Sequence, residues 1–310
     1  MDERVVWVGG HRGTFARTTD GGLTWRAGRV PGADSLRFRD VYGADSLVAY
    51  LLAAGPGTRS RIYKTTDGGA TWTLQFTNPD SSAFYDCFGF WDADRGLAFS
   101  DAVDGRTILI ATEDGGAHWT PVAGLPPALP NEGGFAASGG CVVTAPDGRA
   151  WVGTGNGASA RVLRTTDYGR TWEVAQTPIA AGEAAGITAL AFGDARHGLA
   201  VGGHLSPRDP GAEPRVALTE DGGATWRPGG RPSARGALYG VAVAPGAGGG
   251  AGRGGSLLVL AVGPGGADWS RDGGRTWAPL DSAGYWSVAF GSARAAWAVG
   301  PGGRIARFAF

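Results

Sequence analysis

Chemistry-bearing side chains are scarce in this sequence. Lys64 is the only lysine and Met1 the only methionine among 310 residues, alongside two cysteines and four histidines. The histidines, His11, His118, His197 and His204, show no ligand spacing, which removes the usual zinc arrangements. No Gly-x-x-x-x-Gly-Lys segment occurs, and the glycine-rich stretch 245–255 leads into no helical pattern, so a phosphate cradle is not expected. No apolar run reaches the roughly 18 residues of a spanning helix. The 28 basic and 28 acidic side chains cancel to zero, which leaves no long-range field to draw nucleic acid or anionic lipid. The sequence therefore implies no metal, no cofactor, no nucleic acid and no membrane span.

What is abundant is glycine. The chain holds 57 Gly and 18 Pro, together about a quarter of its residues, close to the range of low-complexity chains. Against disorder stand 43% apolar residues, 10% aromatic residues and 12 tryptophans, enough to bury a core. Something ordered must use the glycines.

A repeat explains them. The string Thr-Thr-Asp-Gly-Gly-Leu-Thr-Trp at residues 18–25 recurs in close variants at 65–72, 112–119, 165–172, 219–226 and 270–277. Its aspartates are Asp20, Asp67, Asp114, Asp167, Asp221 and Asp272, and its tryptophans Trp25, Trp72, Trp119, Trp172, Trp226 and Trp277. The spacing of 47 to 54 residues is that of a propeller blade. Around each copy lie four short runs rich in β-branched and aromatic residues, bounded by Gly, Asp and Pro, which is the pattern of strands. We name them A to D in blade order. B and C are counted seven times, A and D six. The chain enters in strand B at Val5 and leaves after a strand C at residues 304–308. The expected fold is all-β: one domain over residues 1–310, a seven-bladed propeller of four-stranded antiparallel blades lacking the first A and the last D. Six blades would leave one B and C pair over.

Residue types assign the motif to the turn between C and D. Gly21 and Gly22 supply the positive φ such a reversal needs. Asp20 folds back to accept amide N–H groups, and Trp25 covers the turn against a neighbouring blade.

This Ser/Thr-x-Asp-x-Gly-x-Thr-Trp pattern resembles the Asp-box, or BNR repeat, of the sialidase superfamily, and six copies in register cover the chain. His118 replaces the usual threonine in one copy and Tyr168 the first glycine in another. The resemblance implies that the boxes sit away from the ligand face. The segments DARHGLAVG at 194–202 and SARAAWAVG at 292–300 are similar to the photosystem II stability/assembly factor family, whose members are regarded as non-catalytic seven-bladed scaffolds. The implied function is a monomeric propeller that binds a protein, or a glycan, on the loops opposite the boxes.

An enzyme of this superfamily would be a glycoside hydrolase. A sialidase needs an Arg-Ile-Pro motif near its N-terminus, and Arg29-Val30-Pro31 falls after the first box instead of before it. A xyloglucanase-like site would need two carboxyls about 5 to 10 Å apart. Candidates lie on the A strands and the B–C and D–A loops, where Arg39, Asp40, Tyr85, Asp86, Glu132, Tyr285 and Trp286 form a candidate binding set. Asp40, Asp86 and Glu132 are the candidate catalytic carboxylates at the mouth of the central channel, and a structural ion pair of Arg39 with Asp40 or Asp86 is the competing reading. The long segments 121–134, 177–186 and 203–214 fall on this face, with His11, Arg12, Arg59, Asp101, Asp104, Asn156 and Glu183. Asp92 and the Asp101/Asp104 pair resemble fragments of calcium loops without the terminal Glu, and read as hairpin turns.

Cys87 and Cys141 fall in the A-strand regions of blades 3 and 4, near enough for a disulfide or for two buried thiols. A disulfide would place the chain outside the cytoplasm. Met1-Asp2-Glu3-Arg4 does not read as a signal peptide, and the missing first A strand suggests an upstream segment carrying a strand and an export signal. Without one, the cytoplasm is the alternative.

Overall fold

The computed structural model describes residues 3–205, 213–246 and 257–310. Seven antiparallel sheets follow one another along the chain. Blade 1 holds β1 (Val6–Gly9), β2 (Thr14–Thr18) and β3 (Arg26–Arg29), and blade 2 holds β4 (Phe38–Gly43), β5 (Ala49–Ala53), β6 (Arg61–Thr65) and β7 (Thr73–Thr77). Blade 3 comprises β8 (Tyr85–Phe90), β9 (Gly96–Val103), β10 (Arg106–Thr112) and β11 (Thr120–Pro121). Blade 4 comprises β12 (Val142–Thr144), β13 (Ala150–Gly153), β14 (Arg161–Thr165) and β15 (Glu173–Gln176). In blade 5 run β16 (Ala185–Phe192), β17 (Gly198–His204), β18 (Val216–Thr219) and β19 (Arg227–Pro228). Blade 6 has β20 (Gly240–Val243), β21 (Val259–Gly263), β22 (Gly266–Ser270) and β23 (Ala278–Asp281), and blade 7 has β24 (Ser287–Ser292), β25 (Ala295–Val299) and β26 (Ile305–Ala309). Among the described residues the first blade has no A strand and the last no D strand, so the seven-bladed reading holds and six blades do not.

All six repeated turns share one hydrogen-bond scheme. Asp20 Oδ1 accepts from Thr18 Oγ1 at 2.8 Å and from the Thr24 amide at 2.9 Å, while the Gly22 amide donates to Thr18 Oγ1 at 2.9 Å. Led by the Thr24 hydroxyl, these donors hold the Asp20 carboxyl down at about 2. The two departures keep the geometry by substitution. His118 Nδ1 lies 2.6 Å from Asp114 Oδ2, in the place of a threonine hydroxyl. Tyr168 takes the left-handed backbone of a first glycine at φ 61°, and its ring packs under Arg95 and beside Trp91.

The turns also join the blades. Their second glycine lies against the preceding blade: a Cβ on Gly223 would meet the Trp151 ring at 3.0 Å, and one on Gly22 would fall 2.2 Å from Trp297. Gly22 is in blade 1 and Trp297 in blade 7, so the contact used between neighbours also closes the ring. Trp25 adds an edge-on contact to Trp297, with centroids 5.8 Å apart, and Ser292 Oγ donates to Glu3 Oε2 at 2.8 Å. The six motif tryptophans are half-buried, lids on the inter-blade core instead of members of it. That core is split into clusters between adjacent sheets, such as Leu199, Val201, Leu218, Leu238 and Val259 between blades 5 and 6.

Candidate functional site

The A strands carry a shared irregularity near the loop face. In β4, Phe38 pairs with Ala53 and Asp40 with Leu52, which leaves Arg39 as an extra residue. In β8 the extra residue is Asp86, and in β16 it is Thr188. Blades 6 and 7 repeat the device where the amides of Tyr239 and Trp286 bond the carbonyls of Val262 and Val299, the residues that also face Gly240 and Ser287. A bulge breaks the in-and-out alternation and re-aims one side chain. Here it sets Arg39, Asp86, Thr188, Tyr239 and Trp286 at equivalent places around the axis. The sequence reading singled out three of these; Thr188 and Tyr239 were legible as the same position in the repeat.

The channel beneath is not open. The connection from β11 to β12 runs inward across the axis, and Ser138 O in it accepts from Ser287 Oγ of blade 7 at 2.9 Å. Cys87 and Cys141 form a disulfide, with Cα atoms 5.9 Å apart, that ties the end of this segment to β8. A Cβ on Gly139 would lie 2.1 Å from Asp40 Oδ1, and one on Gly133 1.9 Å from Asp101 Oδ1. The glycines are there because the segment lies directly on the carboxylates.

That placement revises the expected acidic pocket. Asp40 is 8% exposed and accepts from the Val41 and Phe88 amides at 2.7 and 2.9 Å, and burial pushes its carboxyl up to about 7. Asp86 is 2% exposed, and burial followed by the adjacent Asp101 raises it well above the carboxylate range. Asp86 lies against Asp101, whose Oδ1 accepts from the Gly134 amide at 3.0 Å. Glu132 is on the inward segment, not on an A strand, and forms a two-point ion pair with Arg161 while accepting from Thr154 Oγ1 at 2.7 Å and the Leu129 amide at 2.8 Å. The three carboxylates therefore share no open cleft. Arg39 pairs with none of them, so the ion-pair alternative fails as well. Tyr85 is buried with its ring on Phe76, and Tyr285 is buried with its hydroxyl donating to Asp281 at 2.6 Å. Asp92, considered for calcium, is instead engaged by Arg95 at 2.7 Å.

What the mouth exposes is cationic and aromatic. The Arg39 guanidinium lies 5.5 Å from the Trp286 ring centroid, and the His11 ring is 6.0 Å from the same indole. Partial burial, then Arg39 and Arg37, holds His11 below its usual value. Burial and Arg37 likewise lower Arg39. Arg37 and Arg39 share the wall of an adjoining hollow of about 280 Å³ with Arg59. Among the described residues, none of these three arginines makes an ion pair. The overall charge balance conceals this local excess, because six of the acids are committed to the turns on the opposite face. A cavity of about 520 Å³ opens here, lined by His11, Arg39, Ser138, Trp286 and residues 300–305. Residues 206–212 of the loop-face segment 203–214, and 247–255 of the glycine-rich stretch, lie outside the described residues.

No family model matches the sequence, and no curated protein does. Similarity is found among solved structures. The chain aligns over its full length with 89% of YCF48 bound to D1 peptide, at TM-score 0.65 and 15% identity. It aligns over 99% with 92% of YCF48 from Cyanidioschyzon merolae, at 0.63 and 18%. It also matches, over 99% of its length, 43% of the GH74 enzyme of Niastella koreensis, at 0.52 and 14%. The likeness is one of fold: this chain shares its seven-bladed architecture with a YCF48 propeller and with a propeller region of a glycoside hydrolase.

Proposed function

We propose that this propeller is a non-catalytic, assembly-factor-like scaffold that binds a polypeptide segment on its loop face. The observation that carries the proposal is the mouth itself: three arginines that make no ion pair among the described residues, beside an accessible indole, over a channel whose carboxylates are buried. Arginine and tryptophan are the residues on which binding energy concentrates, and an extended peptide with acidic residues satisfies both the charge and the aromatic surface. One structure of similar fold holds a D1 peptide, and under this reading peptide binding is the shared activity. The repeated turns are Asp-boxes with a structural role, and Trp286 and Arg39 are the binding members of the candidate set. The disulfide favours an oxidising compartment.

Hydrolysis is the weaker reading, because a glycosidase needs two carboxyls separated by space for the substrate, and Asp86 and Asp101 are in direct contact under the inward segment. The test is affinity purification from native cells together with a glycan array, using wild-type protein and an Arg37→Glu/Arg39→Glu variant. A protein partner lost in the variant supports the proposal. Glycan binding with release of reducing ends overturns it.

A further inference from the structure

Two buried carboxyls lie against each other with no countercharge. Among the described residues neither Asp86 nor Asp101 makes an ion pair, and Asp86 Oδ2 is buried with no donor reaching it. The bulge in β8 sets Asp86 against Asp101 of β9, directly under the inward segment. The Gly134 amide donates to Asp101 Oδ1 at 3.0 Å, and a Cβ on Gly134 would fall 2.8 Å from Asp86 Oδ2. The charged groups on the surrounding elements are engaged elsewhere or exposed. Asp40 on β4 accepts from the Val41 and Phe88 amides, and Arg39 lies over Trp286. Glu132, at the start of the inward segment, pairs with Arg161. On β5 the Tyr50 hydroxyl donates to Gly115 O, Cys87 is held in the disulfide, and β12 carries no charge. Asp80, Asp104 and Arg106 are exposed.

We propose that Asp86 and Asp101 share one proton as a latch on residues 133–137, and that losing this proton lifts the segment and weakens binding of an acidic partner at the mouth. Two carboxyls in contact away from water cannot both ionise. Burial raises both, and Asp101 raises Asp86 further. With the proton shared, the pair carries one charge and Gly134 stays seated on it. Without the proton, two charges in contact need water, which reaches them only when Gly133 and Gly134 move away. The disulfide and the Ser287 bond to Ser138 hold the far end, so the movement is confined to residues before 138. That stretch is the floor of the mouth: Ala136 lines the same hollow as Arg37, Arg39 and Arg59. The second negative charge also opposes the arginines, so both effects lower affinity for an acidic segment as pH rises. His11, held below its usual value, titrates on the acid side of this range. The binding consequence rests on the loop-face reading; the latch does not.

Hydrogen exchange on the full chain, corrected for intrinsic rates, tests the latch. Between about pH 6 and pH 8, protection at the Gly133 and Gly134 amides is expected to fall about tenfold more than at the strand amides of blade 6. Asp86→Asn keeps a neutral group in place and removes this excess, as does Asp101→Asn, which retains an acceptor for Gly134; Asp40→Asn leaves it. A fall no larger than that of blade 6, an excess that survives both variants, or protection at pH 8 restored by added calcium overturns the latch, the last by showing a cation in place of the proton. A tetra-aspartate peptide, ionised throughout, is expected to bind the wild type about fivefold less tightly at pH 8 than at pH 6, and Asp86→Asn equally at both. Equal binding by the wild type at both pH values, with the exchange still switching, overturns the coupling to the mouth. No binding at either pH, with the exchange still switching, overturns the loop-face reading and leaves the latch standing.

Discussion

Arg39 lies across the indole of Trp286, its guanidinium carbon 5.5 Å from the ring centroid, although one residue belongs to blade 2 and the other to blade 7. Among the described residues, blade 1 between them holds no inner strand.

Replacing Arg39 with Ala is expected to weaken partner binding about tenfold while changing stability by less than about 1 kcal/mol, since a partly exposed cation–π contact contributes little to folding. Arg39→Lys keeps the charge but loses the planar stacking group, so it recovers only part of the affinity. Titration calorimetry at two salt concentrations checks both, with the wild type showing the steeper salt dependence.

Ring closure predicts non-additive mutations. Trp25→Ala and Trp297→Ala each remove one side of the same contact, so each is expected to cost about 2 kcal/mol, with the double variant falling short of the sum by about 1 kcal/mol. The half-burial of Trp25 argues for a smaller cost than a fully enclosed tryptophan would have. Urea denaturation of the four proteins measures the coupling.

The disulfide closes a loop of 54 residues. By the loop-entropy relation, Cys87→Ser with Cys141→Ser is expected to cost about 4 kcal/mol. Hydrogen exchange should also rise first at the amides of Gly133 and Gly134, because the disulfide holds the far end of the inward segment that contains them. A uniform rise across all blades would show that the bond does not act through this segment.

Two sets of carboxyls pull the pH profile in opposite directions. Asp20, Asp67 and Asp114 are held at about 2 by turn donors, so their stabilisation is present above about pH 4 and is lost as pH falls toward 2. Asp40 is pushed up to about 7, and Asp86 and Asp101 are also raised. These groups bind protons in the folded chain that the unfolded chain has released, so their contribution to stability falls as pH rises from about 4 to about 7. Thermal melts are expected to peak near pH 4 to 5, and Asp40→Asn to flatten the limb on the alkaline side. A profile still rising between pH 5 and 7 contradicts the assignment.

The repeat fixed the architecture because each unit carries its own instructions: the aspartate accepts the turn amides, the paired glycines take positive φ, and the tryptophan lids the neighbouring blade. Blade number, strand assignment and the two incomplete blades follow from local chemistry repeated in register. The site did not follow in the same way. Asp40, Asp86 and Glu132 stand out in a sequence as polar residues among apolar ones, and so does a buried, satisfied carboxylate. Only the tertiary path of residues 133–140 across the axis decides that these acids are covered. Likewise, a net charge of zero is a sum over all 310 residues and has no direction. It took the fold to put the turn aspartates on one face and Arg37, Arg39 and Arg59 together on the other, and to bring Trp286 beside Arg39 where blade 1 ends at β1.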